Sequence, residues 1–183
     1  MGVVVLGIFS NTIIGIEGAI LLALAHGFVS PALFICVGGI VYERFQTRIM
    51  PYFKGLVVTM PIFTILFFIF LLANIGVPLS LNFLGEQLSL MGIFIRSPLV
   101  AIFGSFTIVL STSYSIFMFN RICFGEQSIK KIQIIDINRR EFMLLFSLLI
   151  PTIILGIFPN VILDTLHVSV TSLLYNLPLS RIN

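Results

Sequence analysis

Charge is what this chain is short of. Of its 183 residues only 9% are Asp, Glu, Lys or Arg, against roughly 25% in ordinary soluble domains, so a water-facing globule would lack the polar residues to cover its surface. Tryptophan is absent and cysteine occurs only twice. Cys36 and Cys123 form neither a CxxC pair nor metal-ligand spacing and read as small buried hydrophobes. No GxGxxG, P-loop, HExxH or haem-type CxxCH pattern occurs, so no cofactor and no redox centre are expected on this chain. The net charge of +3 comes from residues dispersed among links rather than clustered on one face, and no nucleic-acid partner is expected. No basic segment precedes the opening GVVVLGIF, so a cleaved signal peptide is not expected either.

What is present is hydrophobic sequence, at 58% of the chain. It implies an all-α, polytopic transmembrane helix bundle with membrane lipids as its solvent, and the length accommodates about five spans of ~20 residues in a single domain over 1–183. Residues 1–14 are apolar but too short to cross a ~30 Å core unless structure continues before Met1. Residues 18–41 form a full span, with Pro31 expected to kink it and Ser30 able to satisfy a freed carbonyl. The stretch 56–95 would be about 58 Å long as one unbroken helix at ~1.5 Å per residue, nearly twice the hydrocarbon thickness. Gly76 and Pro78, within Gly76-Val77-Pro78-Leu79-Ser80-Leu81-Asn82, oppose a continuous helix there, which predicts two half-helices near 60–75 and 83–95. Spans at 98–120 and 141–158 follow, the last closed by Phe158-Pro159-Asn160. The tail from Val161 reads as a short interfacial helix.

Basic residues set the orientation. A single crossing by 56–95 puts the link holding Arg44, Arg48 and Lys54 on the same side as the link holding Arg121, Lys130, Lys131, Arg139 and Arg140, as the positive-inside rule favours. The break then falls at membrane depth, where irregular backbone survives only when buried in protein or lining a wet cavity.

Glu86 lies just after this break, deep in apolar sequence. A carboxylate in hydrocarbon is costly without a partner, a hydrated cavity or a proton, so it is a functional candidate by default. The dipole at the start of the second half-helix favours its charge while desolvation opposes it, a balance that suits a group loading and releasing protons. His26, in the middle of the 18–41 span, is the natural relay partner near neutral pH. Glu17, Glu43, Arg96, Arg121, Asp164 and His167 fall at span ends or in links. Thr107, Ser111 and Ser115 recur every four residues on the 98–120 span, either lining a hydrated seam beside Glu86 or serving helix packing.

The runs IEGAILLALAHGFVSPALF (16–34), YERFQTR (42–48), GVP…NFLGE (76–86), YSIFMFNRICFG (114–125) and FPNVILDTLH (158–167) closely resemble the carboxy-terminal part of the subunit-4 family of respiratory complex I. These are antiporter-like membrane subunits of NADH:ubiquinone oxidoreductase. The resemblance covers essentially the whole chain, in order. It implies that Glu86, the Glu of the NFLGE-type motif, is the terminal protonatable group of a proton path, and that His26 belongs to a central hydrophilic axis. Sister subunits typically carry Lys at the position of Glu86.

The family's subunit has further spans, with proton-path Glu and Lys residues that have no counterpart here. The resemblance therefore implies a separate chain carrying the amino-terminal part of the same subunit, or else a relic that has lost pumping. It also implies neighbouring antiporter-like complex I subunits as partners. The expected function is proton translocation coupled to quinone reduction in the mitochondrial inner membrane, or in a bacterial plasma membrane. The alternatives are membrane-arm helices with a purely structural role and a component of a multi-subunit cation/proton antiporter.

Overall fold

The computed structural model describes residues 1–47, 49, 54–125 and 135–176. Helix α1 (Gly2–Phe9) ends at Ser10 and Asn11, and Asn11 adopts a left-handed φ of 54° that its short polar side chain tolerates. The Thr12 hydroxyl then accepts a hydrogen bond from the Gly15 amide at 3.2 Å, capping α2 (Ile13–Phe34). The apolar stretch expected as one segment over 1–14 is thus divided, with Ile13 and Ile14 opening the next helix.

No interruption occurs at Pro31. The helix passes the proline and widens four residues later into a π-helix, Ile35–Val41, before a last α-turn, α3 (Tyr42–Phe45). A proline lacks an amide and crowds the carbonyl four residues earlier, here that of Gly27, so its misfit falls in the turn before it, which stays α-helical, and not in the π-wound stretch. The continuous run Ile13–Phe45 is 33 residues long.

After the short α4 (Leu56–Thr59), α5 (Pro61–Ile75) begins with a proline, whose missing amide is unneeded in a first turn. The next two amides, of Ile62 and Phe63, donate to the Asp136 carboxylate at 3.0 and 3.3 Å. α5 stops at Gly76, which takes φ +80°. α6 (Leu81–Arg96) restarts behind Ser80, whose hydroxyl accepts from the Phe83 amide. α7 (Pro98–Cys123), α8 (Arg139–Ile157) and α9 (Asn160–Asn176) complete the described chain, and no strand occurs among the described residues.

α2 and α6 pack antiparallel along a seam of small residues. Gly85 meets Leu22, Gly18 meets Leu88 and Ser89, and Gly92 meets Gly15, so positions rise on one helix as they fall on the other. A Cβ on Gly85 would stand 2.7 Å from the Leu22 backbone, which is why small residues are needed for so close an approach. Further along the same run, Phe63, Phe67 and Met60 join Cys36 and Ile40 in the main core, with the Phe63 and Phe67 rings stacked at 5.6 Å. α5 and α6 together therefore follow the length of Ile13–Phe45 once.

The two links meet at one end of the bundle. Arg44 pairs with Glu141 at 2.8 Å, and its guanidinium also donates to the carbonyls of Ile135, Asp136 and Ile40. Arg48, Lys130 and Lys131 lie outside the described residues. Among those described, Ile13–Phe45, Pro98–Cys123 and Arg139–Ile157 are long and apolar enough to cross a membrane. The fold is an all-α membrane bundle.

The tail from Val161, expected as a short interfacial helix, falls within the 17-residue α9. α9 lies against α2, with Ile162 and Leu163 packed on the cluster of Leu21, Ala25 and Leu81, while Gly156 just before it abuts the backbone at Leu79 in the α5–α6 break. Residues 177–183 lie outside the described residues.

Candidate functional site

A cavity of about 900 Å³ lies between α2, α5, α6 and α7, and both His26 and Glu86 line it. It extends from Met1 and Val3 to Tyr42 and Thr47 at the link end. Helical periodicity produces its wall along α2 and the π-helix that continues it: Leu22, His26, Ser30, Leu33, Val37 and Val41 follow one another at three- or four-residue steps, so one face of the run borders the cavity throughout.

Glu86 occupies the second turn of α6 and folds back over the break. A Cβ added at Gly76 would stand 2.6 Å from Glu86 Oε2. Gly76 therefore has two reasons to be glycine: the left-handed φ that ends α5, and the room that the carboxylate occupies. Pro78 lies in the exposed part of the break. It cannot donate a hydrogen bond and so resists continuation of the helix.

One turn before Glu86, Asn82 bridges the break. Its Nδ2 donates to the Ala73 carbonyl at 2.9 Å, satisfying an acceptor at the end of α5. Its Oδ1 is buried and has no protein partner among the described residues, yet Asn82 lines the cavity. A buried acceptor of this kind costs about 1–3 kcal/mol if left unpaired, so the position suits a water molecule or a proton donor. Asn74, from α5, also lines the cavity.

The hydroxyl stripe on α7 is only partly in place. Ser111 and Ser115 line the cavity, whereas Thr107 is exposed outside it and donates to its own helix at Gly104. A four-residue step overshoots a 3.6-residue turn by ~40°, so three such positions drift around the helix rather than sharing one line. Ser115 donates to the Ser111 carbonyl at 2.7 Å. Tyr114, also on the lining, was not singled out by the sequence pattern.

Sequence reasoning missed two further features. Asn82 carried a readable signal, being an amide four residues before Glu86 in an apolar run. Glu17, read as a span-end residue, sits on the second turn of α2, near one end of the long run, and is 9% exposed; its contact with His167 Nδ1 through Oε1 at 2.7 Å carried no signal in the sequence. Among the described residues no group of three or more His, Cys, Asp or Glu side chains could hold a metal ion.

Residues 1–111 match the model of the family described as NADH:quinone oxidoreductase/Mrp antiporter, transmembrane. The chain belongs to that family. Within it, the chain is 54% identical over 176 residues to NADH-ubiquinone oxidoreductase chain 4 of Mycosarcoma maydis, covering 96% of this chain and 36% of that protein. Among solved structures it superposes on a chain of respiratory complex I from Thermus thermophilus with a TM-score of 0.86 and 28% identity, over 95% of this chain and 36% of that one. The Mrp complex from Dietzia sp. DQ12-45-1b shares the fold, with a TM-score of 0.77 at 18% identity, over 94% of this chain and 40% of that one. The chain thus spans about a third of the length of the family members it matches.

Proposed function

We propose that this chain carries the distal proton-relay station of a chain-4 subunit of NADH:ubiquinone oxidoreductase, working in the mitochondrial inner membrane. The observation that carries the reading is that Glu86 and His26, on different helices, line one cavity beside the broken helix. Glu86 serves as the loading group: its carboxylate sits at the start of α6, where helix amides favour negative charge, while the apolar surroundings favour the protonated form. Small changes in nearby charge then shift its occupancy. Asn82 Oδ1 and the Ser111 hydroxyl orient water along the lining, and His26 exchanges protons with that water.

The redox chemistry is assigned to other chains. The remaining two-thirds of the subunit's length borders the cavity and brings a basic residue within hydrated reach of His26 or Glu86, with neighbouring antiporter-like subunits flanking it. The relatives' names support this assignment, since they are chains of NADH-ubiquinone oxidoreductase.

The test is Glu86→Gln, which keeps shape and removes the titrating proton. In assembled complex, NADH oxidation by an artificial acceptor should persist while proton pumping coupled to quinone reduction is lost. Unchanged pumping in a fully assembled Gln variant would leave the helices with a structural role only.

A further inference from the structure

The pair Glu17 and His167 stands apart from the cavity. On α2, Glu17 follows the flank of Leu21, which faces Leu81 and α9, whereas Leu22 and His26 border the cavity. The glycine seam where Gly18 and Gly85 close α2 onto α6 lies between the two.

Its position along the membrane normal follows from the helix. Glu17 and Arg44 are 27 positions apart on one continuous helical run, or about 40 Å at ~1.5 Å per residue, which exceeds a ~30 Å hydrocarbon core. With Arg44 clamped at the link end, the pair belongs to the opposite boundary.

Its exposure is asymmetric. The Glu17 side chain is 11% exposed and that of His167 62%, across a contact of 2.7 Å. A carboxylate enclosed by the described helices is thus capped by an imidazole that stands outside them.

Few other charges compete for it. α1 and α5 carry no titratable side chain. α6 contributes Glu86, on the cavity flank, and Arg96, at its exposed end, while the charged residues of α8 are Arg139, Arg140 and Glu141, at the link end. α9 adds Asp164, one turn before His167 and exposed.

We propose that Glu17 and His167 form a second proton-exchanging site of this chain, opening to the aqueous phase on the membrane face opposite the basic links. A proton on Glu17 Oε1 moves along the hydrogen bond to His167 Nδ1, giving a carboxylate and an imidazolium. Loss of the Nε2 proton to water then leaves the Nδ1–H tautomer donating to the carboxylate, and one proton has been released. Reloading reverses these steps. Nothing in this site requires the relay role of Glu86, so the two can fail separately.

Infrared pH-difference spectra of the intact complex read the site directly. The wild type should show a titrating carboxylic C=O band that is lost in Glu17→Gln, shifted in its pH dependence by His167→Gln and retained in Glu86→Gln. Spectra of Glu17→Gln that match the wild type across the titration would overturn the proposal, as would a band indifferent to His167→Gln. A second measurement needs no variant. Diethyl pyrocarbonate applied to sealed vesicles of each orientation, with mass spectrometry of the His167 peptide, should modify His167 only from the face opposite the links and shift the pH dependence of the titrating band. Modification from the link face, or an unchanged band in modified complex, would refute it.

Discussion

Asn82 shows how much one side chain decides here. It closes the end of α5 through Ala73 and leaves an oxygen for the cavity one turn from Glu86. Asn82→Leu is close in volume but removes both functions; the Ala73 carbonyl keeps its bond from the Gly76 amide, so the complex should lose only about 0.5–1.5 kcal/mol for the missing side-chain hydrogen bond, and pumping should fall further than thermal stability does. Parallel melting and pumping assays separate the two effects; pumping at the wild-type rate would show that the oxygen has no part in the relay. Leu79 presents the opposite case, with a positive φ of 80° on a branched side chain that is 69% exposed. Relief of left-handed strain is worth about 1–2 kcal/mol, and the extra chain entropy of glycine returns about 0.4–1. Leu79→Gly should therefore raise the melting temperature of the complex slightly, and a clear drop would show that Leu79 is held by contacts beyond this chain.

Helices meet here through what they lack. The α2–α6 seam depends on Gly18, Gly85 and Gly92 having no Cβ, and Gly92 faces the Gly15 backbone itself. Overpacking of this kind costs about 1–3 kcal/mol, so Gly85→Ala should destabilise the bundle and lower the yield of assembled complex, with a larger effect than alanine at Gly27, which has open space around its missing Cβ. Quantified assembly on native gels gives the comparison. On α7 the serine stripe divides in a testable way: in a cysteine-free background, Ser111→Cys should react with a small water-soluble thiosulfonate through the hydrated cavity. Failure to react in assembled complex would mean that the cavity is dry.

The Arg44 clasp sets the arrangement of the whole molecule. Because Arg44 joins the end of the long helical run to the start of α8, both described basic links share a face. Cysteines at Gln46 and Phe124, both exposed, should therefore label with an impermeant maleimide from the same side of sealed vesicles. Labelling from opposite sides would contradict the single crossing by α5 and α6.

The sequence by itself determined the membrane class, the helix break, and the pairing of an embedded acid with a histidine as the candidate chemistry. These depend on composition, on Gly76 and Pro78, and on residue types that are costly in hydrocarbon, all of which are local properties. Only the tertiary structure decided which polar groups share a cavity. Thr107 and Ser111 look equivalent in the stripe, but the rotation of α7 excludes one and admits the other. Glu17 reads as a span-end residue with no partner nearby in the chain, but α9 brings His167 from 150 positions away to meet it. A contact between such distant positions depends on how helices dock, and hydrophobic pattern along the chain does not encode that.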